Sequence, residues 1–202
     1  MARPIKKGDR LDPKLEAVLA RLCKKLGWIT TTRAVKLPYL VDVVARHHLG
    51  APITNGTHET WEHGVVTGEV WSYIQRGGDI NDPFIIKGHS YSESGKQISL
   101  EGEPDEALSP EEEAIVDLVA ETYGRLDAGT LGKLTKTLNT QFAPQAWGQN
   151  HKAAVDEDAY ARLAEGYQAF AARLPYLDFS NREDWSEPIE DPGEYLRRTL
   201  GE

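Results

Sequence analysis

His58, Glu59 and His63 fall within one short stretch, His58-Glu59-Thr60-Trp61-Glu62-His63. Two imidazoles beside carboxylates are the side chains from which a metal-dependent hydrolytic centre is built. The spacing argues against a zincin helix. That motif needs histidines four apart, stacked on one helical face, whereas these two are five apart and lie next to Gly56 and Gly64. No third ligand stands at a metal-site spacing, so metal-dependent catalysis through His58, Glu59 and His63 is a secondary reading. His47 and His48 are adjacent; a helix would turn one toward the core and the other to solvent. Cys23, the single cysteine, falls inside an apolar helical stripe and reads as a core thiol rather than a nucleophile. Phosphate-binding G-x-x-x-x-G-K-[ST], dinucleotide-binding G-x-G-x-x-G after a strand, and a nucleophile elbow are all missing. The expectation is therefore a chain that is no enzyme and uses no cofactor or metal.

The elements that would position these residues are mostly helical. Asp12 caps and Pro13 opens a first helix, where the absent proline N–H costs nothing. Leu15, Val18, Leu19, Leu22, Cys23 and Leu26 recur three and four apart along it, and Gly27 ends it. A second helix covers roughly Thr32 to Leu49, with Leu37, Leu40, Val41, Val44 and His48 on its buried side; it starts near Pro38 or bends there. Ala51 to Gly64 reads as loop, with a short extended piece around Ile53, and Thr67 to Gln75 as a short helix. Phe84-Ile85-Ile86 and Gln97-Ile98-Ser99-Leu100 predict two short strands that must lean on helices. Ser109 and Pro110 open a helix running to Tyr123, with Glu111, Glu112 and Glu113 in its favourable first turn and Gly124 at its end. Thr130 to Leu138 and Asp156 to Leu174 are two more helices. The expected fold is mainly α with a small β-hairpin (α+β): a single compact helical domain over residues 1–174 and an acidic tail over 175–202.

Composition narrows the class. At 202 residues with 40% hydrophobic and 27% charged side chains, the chain can bury a sizeable core. No run approaches the roughly 18 apolar residues of a membrane span. Residues 1–10 are polar and basic, so no secretory signal is expected, and with one cysteine the expected location is cytoplasmic. The net charge of −9 conceals an asymmetry, because residues 1–50 carry eleven Lys/Arg against four Asp/Glu. The bland reading of that asymmetry is solubility. The sharper one is nucleic acid: the first two helices, joined at Gly27, loosely resemble a helix-turn-helix, with Lys24, Lys25, Arg33 and Lys36 at the joint. Against it, the second helix is largely apolar and offers few side chains to base edges.

Several stretches, in order, resemble one known family. Lys36-Leu37-Pro38-Tyr39-Leu40-Val41-Asp42 is similar to the K-L-x-K-L-L-Y-x-A-D helix of the Panacea domain, the SocA-like antitoxin family. Gly50-Ala51-Pro52-Ile53-Thr54 resembles its G-x-P-I-T turn, and His63-Gly64-Val65-Val66 its G-P-V element. Leu108-Ser109-Pro110-Glu111-Glu112-Glu113 and Tyr123-Gly124 resemble its L-S-x-E-E helix and terminal Y-G. Leu131 to Leu138 and Pro144-Gln145-Ala146-Trp147 resemble its L-S-x-x-T-H helix and P-x-W close. The clearest cover is 15–149. Three positions depart from the pattern: Pro38 for a polar residue, Val65 for proline, and Lys136 for histidine.

The resemblance implies an antitoxin that neutralises a cognate bacterial or phage toxin by direct contact. A family precedent for adaptors adds a protease as a second partner, and autoregulation would add operon DNA; no membrane is implied. Stable interfaces concentrate their energy in a few aromatic or arginine anchors. The candidates are Trp61, His63, Tyr73, Trp185 and Tyr195, with Trp71 and Trp147 assigned to the core. Trp185 and Tyr195 stand in the acidic tail, which is suited to wrapping a basic toxin.

Overall fold

Asp12 opens the first helix as its chemistry dictates: its carboxylate accepts from the backbone N–H groups of Lys14 and Leu15. That helix, α1 (Pro13–Leu26), is the first of six helices and six strands among the residues described by the structure, a computed structural model, namely 10–79, 82–88, 95–138 and 151–171. Strand β1 (Trp28–Thr30) follows at once, then α2 (Thr31–Leu49), the hairpin β2 (His58–Trp61) and β3 (Gly64–Thr67), and α3 (Gly68–Arg76). Strands β4 (Phe84–Gly88) and β5 (Lys96–Leu100) precede α4 (Pro110–Tyr123), α5 (Ala128–Thr137), β6 (His151–Lys152) and α6 (Glu157–Ala171).

The result is α+β and mainly helical, with two three-stranded antiparallel sheets where one hairpin was expected. One has the order β1-β5-β4 and the other β3-β2-β6. Strands β4 and β5 pair as predicted, Phe84 opposite Leu100 and Ile86 opposite Ile98. The additions are β1, which pairs Ile29 with Ile98, and the β2–β3 hairpin, which occupies part of the segment read as loop. Three- and four-residue strands are too short for period-two alternation to register, so neighbours rather than pattern make them.

Helix α2 begins at the threonines and runs through Pro38; the alternative start at Pro38 does not occur. It is the hub, packing against each of the other five helices. Residues Ala34 to Ala45 are buried without a break, so the helix is enclosed all round rather than on one stripe. Enclosure offsets the backbone hydrogen bond that Pro38 cannot make. The two terminal histidines escape it: His47 and His48 are both exposed, against the expectation of one in and one out, and His47 stacks on Tyr160 at 3.8 Å.

Two charged side chains lie within this buried stretch, and each is fully engaged. Asp42, 1% exposed, accepts from the backbone N–H groups of Ile53 (3.0 Å) and Thr54 (2.8 Å) and from the Thr54 hydroxyl. His58 Nε2 donates to the same carboxylate at 2.7 Å, leaving Nδ1 to meet the Thr67 hydroxyl at 3.0 Å. One carboxylate thus joins α2, the turn after it and the β2–β3 hairpin.

Part of the charge asymmetry of the sequence is met between α1 and α4. Lys14 meets Glu112 at 2.8 Å, Arg21 meets Asp117 at 2.7 Å, and Lys25 meets Asp117 at 3.0 Å and Glu121 at 3.1 Å. Burial alone would raise the Asp117 carboxyl, but hydrogen bonds from Arg21 and Lys25 hold it below its ordinary value. Cys23 is core, as read, and burial pushes its thiol up to about 12.

Replacing Asp42 with alanine strands two backbone N–H groups, the Thr54 hydroxyl and His58 in the core. The expected cost is about 3 kcal/mol or more in urea denaturation, and an unchanged midpoint would show the network to be dispensable.

Candidate functional site

The β2–β3 hairpin turns on Glu62 and His63, between Trp61 and Gly64, which face each other as the last register pair. Gly64 is required there. Its φ is 97°, and a Cβ at this position would lie 2.3 Å from Thr135 Oγ1 and 2.7 Å from the Gly132 carbonyl oxygen. Strand β3 therefore rests directly on α5. Val65 N–H donates to Thr135 Oγ1 at 3.3 Å, and that hydroxyl in turn donates back to the Leu131 carbonyl at 3.0 Å. From the other side Lys36, 3% exposed, donates from Nζ to the carbonyls of His63 (2.7 Å) and Val65 (2.9 Å). The hairpin is strapped between α2 and α5.

That strapping leaves a groove of about 670 Å³ beside the hairpin. Val35 and Val66 form its floor. Trp61 and Trp71 form one wall, edge to face with ring centroids 5.5 Å apart, and Trp61 Nε1 donates to Glu59 at 3.0 Å. The opposite wall is α5, presenting Gly129 and Gly132 without side chains and Lys133 and Lys136 at the rim. Lys36 borders the groove from α2, and Glu62 and His63 border it from the turn. Burial, with a smaller contribution from the neighbouring Lys136 charge, brings the Lys36 ammonium down to about 8. A volume of this size matches the recognition pockets of globular proteins, and mixed aromatic and cationic walls suit a partner with both apolar and acidic groups.

The sequence candidates separate clearly against this geometry. Trp61 and His63 come together in the groove, Trp61 half-buried and His63 exposed. Tyr73 does not: it is 1% exposed and packs edge to face on Phe84, so it is a core residue and cannot anchor a partner. Trp185, Tyr195 and Trp147 lie outside the described residues. The nucleic-acid reading loses its helix, because α2 is enclosed by the fold and β1 separates it from α1. Of its four cations, Lys36 is buried and Lys25 is ion-paired within the fold. Arg33 is half-buried in the first turn of α2, and Lys24 alone of the four is exposed without an ion pair among the described residues.

His58, Glu59 and His63 do not converge either. His58 and Glu59 are buried, each with its own partner, while His63 faces outward at the turn. Among the described residues no group of three or more His, Cys, Asp or Glu side chains is placed to hold a metal ion. Trp71, Lys133 and Lys136 are groove residues that the sequence reading missed or assigned elsewhere. Trp71 was assigned to the core, and half of it is: it packs on core residues with one edge and walls the groove with the other.

The sequence profile of the family described as Antitoxin SocA-like, Panacea domain, matches residues 35–140, from within α2 through the described end of α5. No match is found among curated proteins or among solved structures. The matched span holds Lys36, Asp42, Thr54, Gly64 and Thr135, the residues that fix the hairpin and build the groove. No helix among the described residues is long and apolar enough to cross a membrane.

Gly64→Ala is expected to lose roughly 2–4 kcal/mol by denaturation, since a Cβ has no room against α5 and the φ is unfavourable; a wild-type melt would contradict the contact. Lys36 makes stability depend on pH. Its folded value near 8 lies below the ordinary 10.5, so between these pH values the unfolded chain holds more protons and stability rises with pH. Cys23 opposes this above pH 9.0, where the unfolded thiol ionises and the buried one does not. From pH 8 to 9 the gain from Lys36 is expected to be about 1 kcal/mol and to vanish in Lys36→Met. Parallel pH slopes for the two proteins would refute it.

Proposed function

We propose that this chain, which belongs to the SocA-like antitoxin family by its Panacea domain, neutralises a cognate toxin in the cytoplasm by binding it directly. The observation that carries this reading is the profile match over 35–140, more than half of the chain, which coincides with the most tightly connected part of the fold. The groove walled by Trp61 and Trp71 supports contact as the means. It pairs aromatic area with rigid surroundings, and buried aromatic anchors carry much of the energy in protein interfaces. A binding scaffold also accounts for the sites of the polar residues most suggestive of chemistry: His58 and Asp42 hold the fold together in its interior. Binding to DNA is disfavoured for the same chain, because three of the four cations of α1, Lys14, Arg21 and Lys25, are committed to α4.

The test is co-expression with the product of the adjacent gene under conditions in which that product alone stops growth. Restored growth with a complex that survives purification is the expected result. Restored growth with disappearance of the toxin would instead assign the chain to delivery of its toxin to a protease. A harmless neighbour, or a toxin whose effect this chain leaves unchanged, refutes the antitoxin reading.

A further inference from the structure

The edge of a β-sheet presents unpaired backbone N–H and C=O groups, and folds close such edges where they can. At β3 this chain does so: the Val65 N–H donates to Thr135 Oγ1 and the Val65 carbonyl accepts from Lys36, so α5 and α2 seal the edge. In the other sheet β1 is an edge of three residues set directly between α1 and α2. The opposite edge, β4, is different. The Glu101 N–H donates to the Pro83 carbonyl at 2.8 Å, and these two residues stand opposite when the β4–β5 register is extended by one. Hydrogen-bonded positions alternate along an antiparallel pair, so Ile85 and Lys87 turn their backbone groups toward β5. Phe84, Ile86 and Gly88 turn theirs away, and these groups meet no backbone partner among the described residues. The side chains do not guard the edge either: Phe84, Ile85 and Ile86 are apolar, and Lys87 is the one charge on the strand.

We infer that β4 is a self-association edge, which pairs antiparallel with β4 of a second copy about a twofold axis at Ile86. Only an extended main chain matches a row of open N–H and C=O groups, and the register singles out a second copy. With Ile86 opposite Ile86 of the second copy, Phe84 falls opposite Gly88 of the second copy and Gly88 opposite Phe84. Every open group of one strand then meets its complement on the other. A shift of one residue would set outward groups against inward ones, and a shift of two would carry Phe84 or Gly88 past the end of the opposing strand. The side chains agree with this register. Gly88 puts no side chain against the phenyl ring opposite, and nothing in its own chain lies within 4 Å of a Cβ there. On the other face Ile85 falls opposite Lys87, whose aliphatic stem packs along it, so like charges are not directly opposed. Although the chain carries −9, residues 83–88 hold one lysine and no carboxylate, so the contact itself is free of that repulsion. The two three-stranded sheets join as one continuous sheet. One pair of short strands is smaller than a standard interface, so the dimer is weak, with a Kd on the order of 10–100 μM.

Sedimentation of the full chain across the micromolar range is expected to show a monomer–dimer equilibrium. Over the same range amide hydrogen exchange at Ile86 and Gly88 should slow with concentration, while Ile85 and Lys87, already bonded to β5, should not change. Gly88→Pro removes an outward donor without touching the β4–β5 ladder, and Gly88→Ala keeps that donor. Expected is a loss of association of about 10-fold or more for Gly88→Pro with a wild-type melt, and a value within about 3-fold of wild type for Gly88→Ala. A monomer at every concentration overturns the inference. So does a Gly88→Pro protein that melts normally and dimerises as well as the wild type. If Gly88→Pro fails to fold, the exchange pattern of the wild type decides: a dimer whose Ile86 and Gly88 amides exchange as in the monomer places the contact elsewhere. Protection of these amides only when toxin is added would give the edge to a strand of the toxin, and this too overturns the assignment to a second copy. None of these readouts uses growth rescue, so the antitoxin reading stands or falls separately.

Discussion

The fold depends on burying one helix completely while that helix carries two charged side chains. Helix α2 has no solvent face from Ala34 to Ala45, and Lys36 and Asp42 both lie in that stretch. An ion removed from water without partners is prohibitively costly, so the surrounding chain has to supply a full set of donors to Asp42 and acceptors to Lys36. The segment that returns after α2 supplies both sets. Ile53, Thr54 and His58 satisfy Asp42, and the carbonyls of His63 and Val65 satisfy Lys36. The path of the chain from residue 50 to residue 67 is therefore determined from inside the core. A hydrophobic core alone would tolerate several packings of a short hairpin, whereas these directional contacts permit one.

The same accounting explains where charge remains. Helices α1 and α4 exchange charge, so that Lys14, Arg21 and Lys25 are met inside the fold. Lys133, on α5, is exposed with no ion pair among the described residues, although the carboxylate-bearing α6 packs against the same helix. The net charge of a chain is thus a poor guide to its local field, because the sign at a surface is decided by which charges the tertiary contacts have already cancelled. Lys136 is also the position at which the chain departs from the histidine that the family pattern would place there, so the departure adds a permanent cation to the groove.

The stretches that resemble the Panacea domain are joints. Asp42 and Thr54 form one, Lys36, Gly64 and Thr135 the other, and Ser109 with Glu112 builds a capping box at α4. These positions specify an architecture, and an architecture does not name its ligand. Trp61 and Trp71, which wall the groove, lie between the motifs rather than in them. A scaffold of this kind can retain its connections while its groove changes.

From the sequence alone, local chemistry was legible. Caps and periodicity gave α1 from Asp12, α4 from Ser109 with its proline, and the pairing of Phe84–Ile86 with Gln97–Leu100, since helix starts and apolar alternation are written in neighbouring residues. The core assignment of Cys23 and the membership of the family were legible for the same reason. The β2–β3 hairpin was not, because its four-residue strands are held by Lys36 from α2 and Thr135 from α5, at separations no local pattern records. Tyr73 and Trp71 show the limit most plainly. They lie two residues apart on one helix, and the sequence ranked Tyr73 as the partner contact and Trp71 as core, whereas packing buries Tyr73 completely and leaves Trp71 partly exposed at the groove. Sequence determines which elements form and which side chains need partners; only tertiary packing decides which of those needs are met inside the fold and which are left at its surface for another molecule, because burial and charge compensation are properties of neighbours distant in the chain.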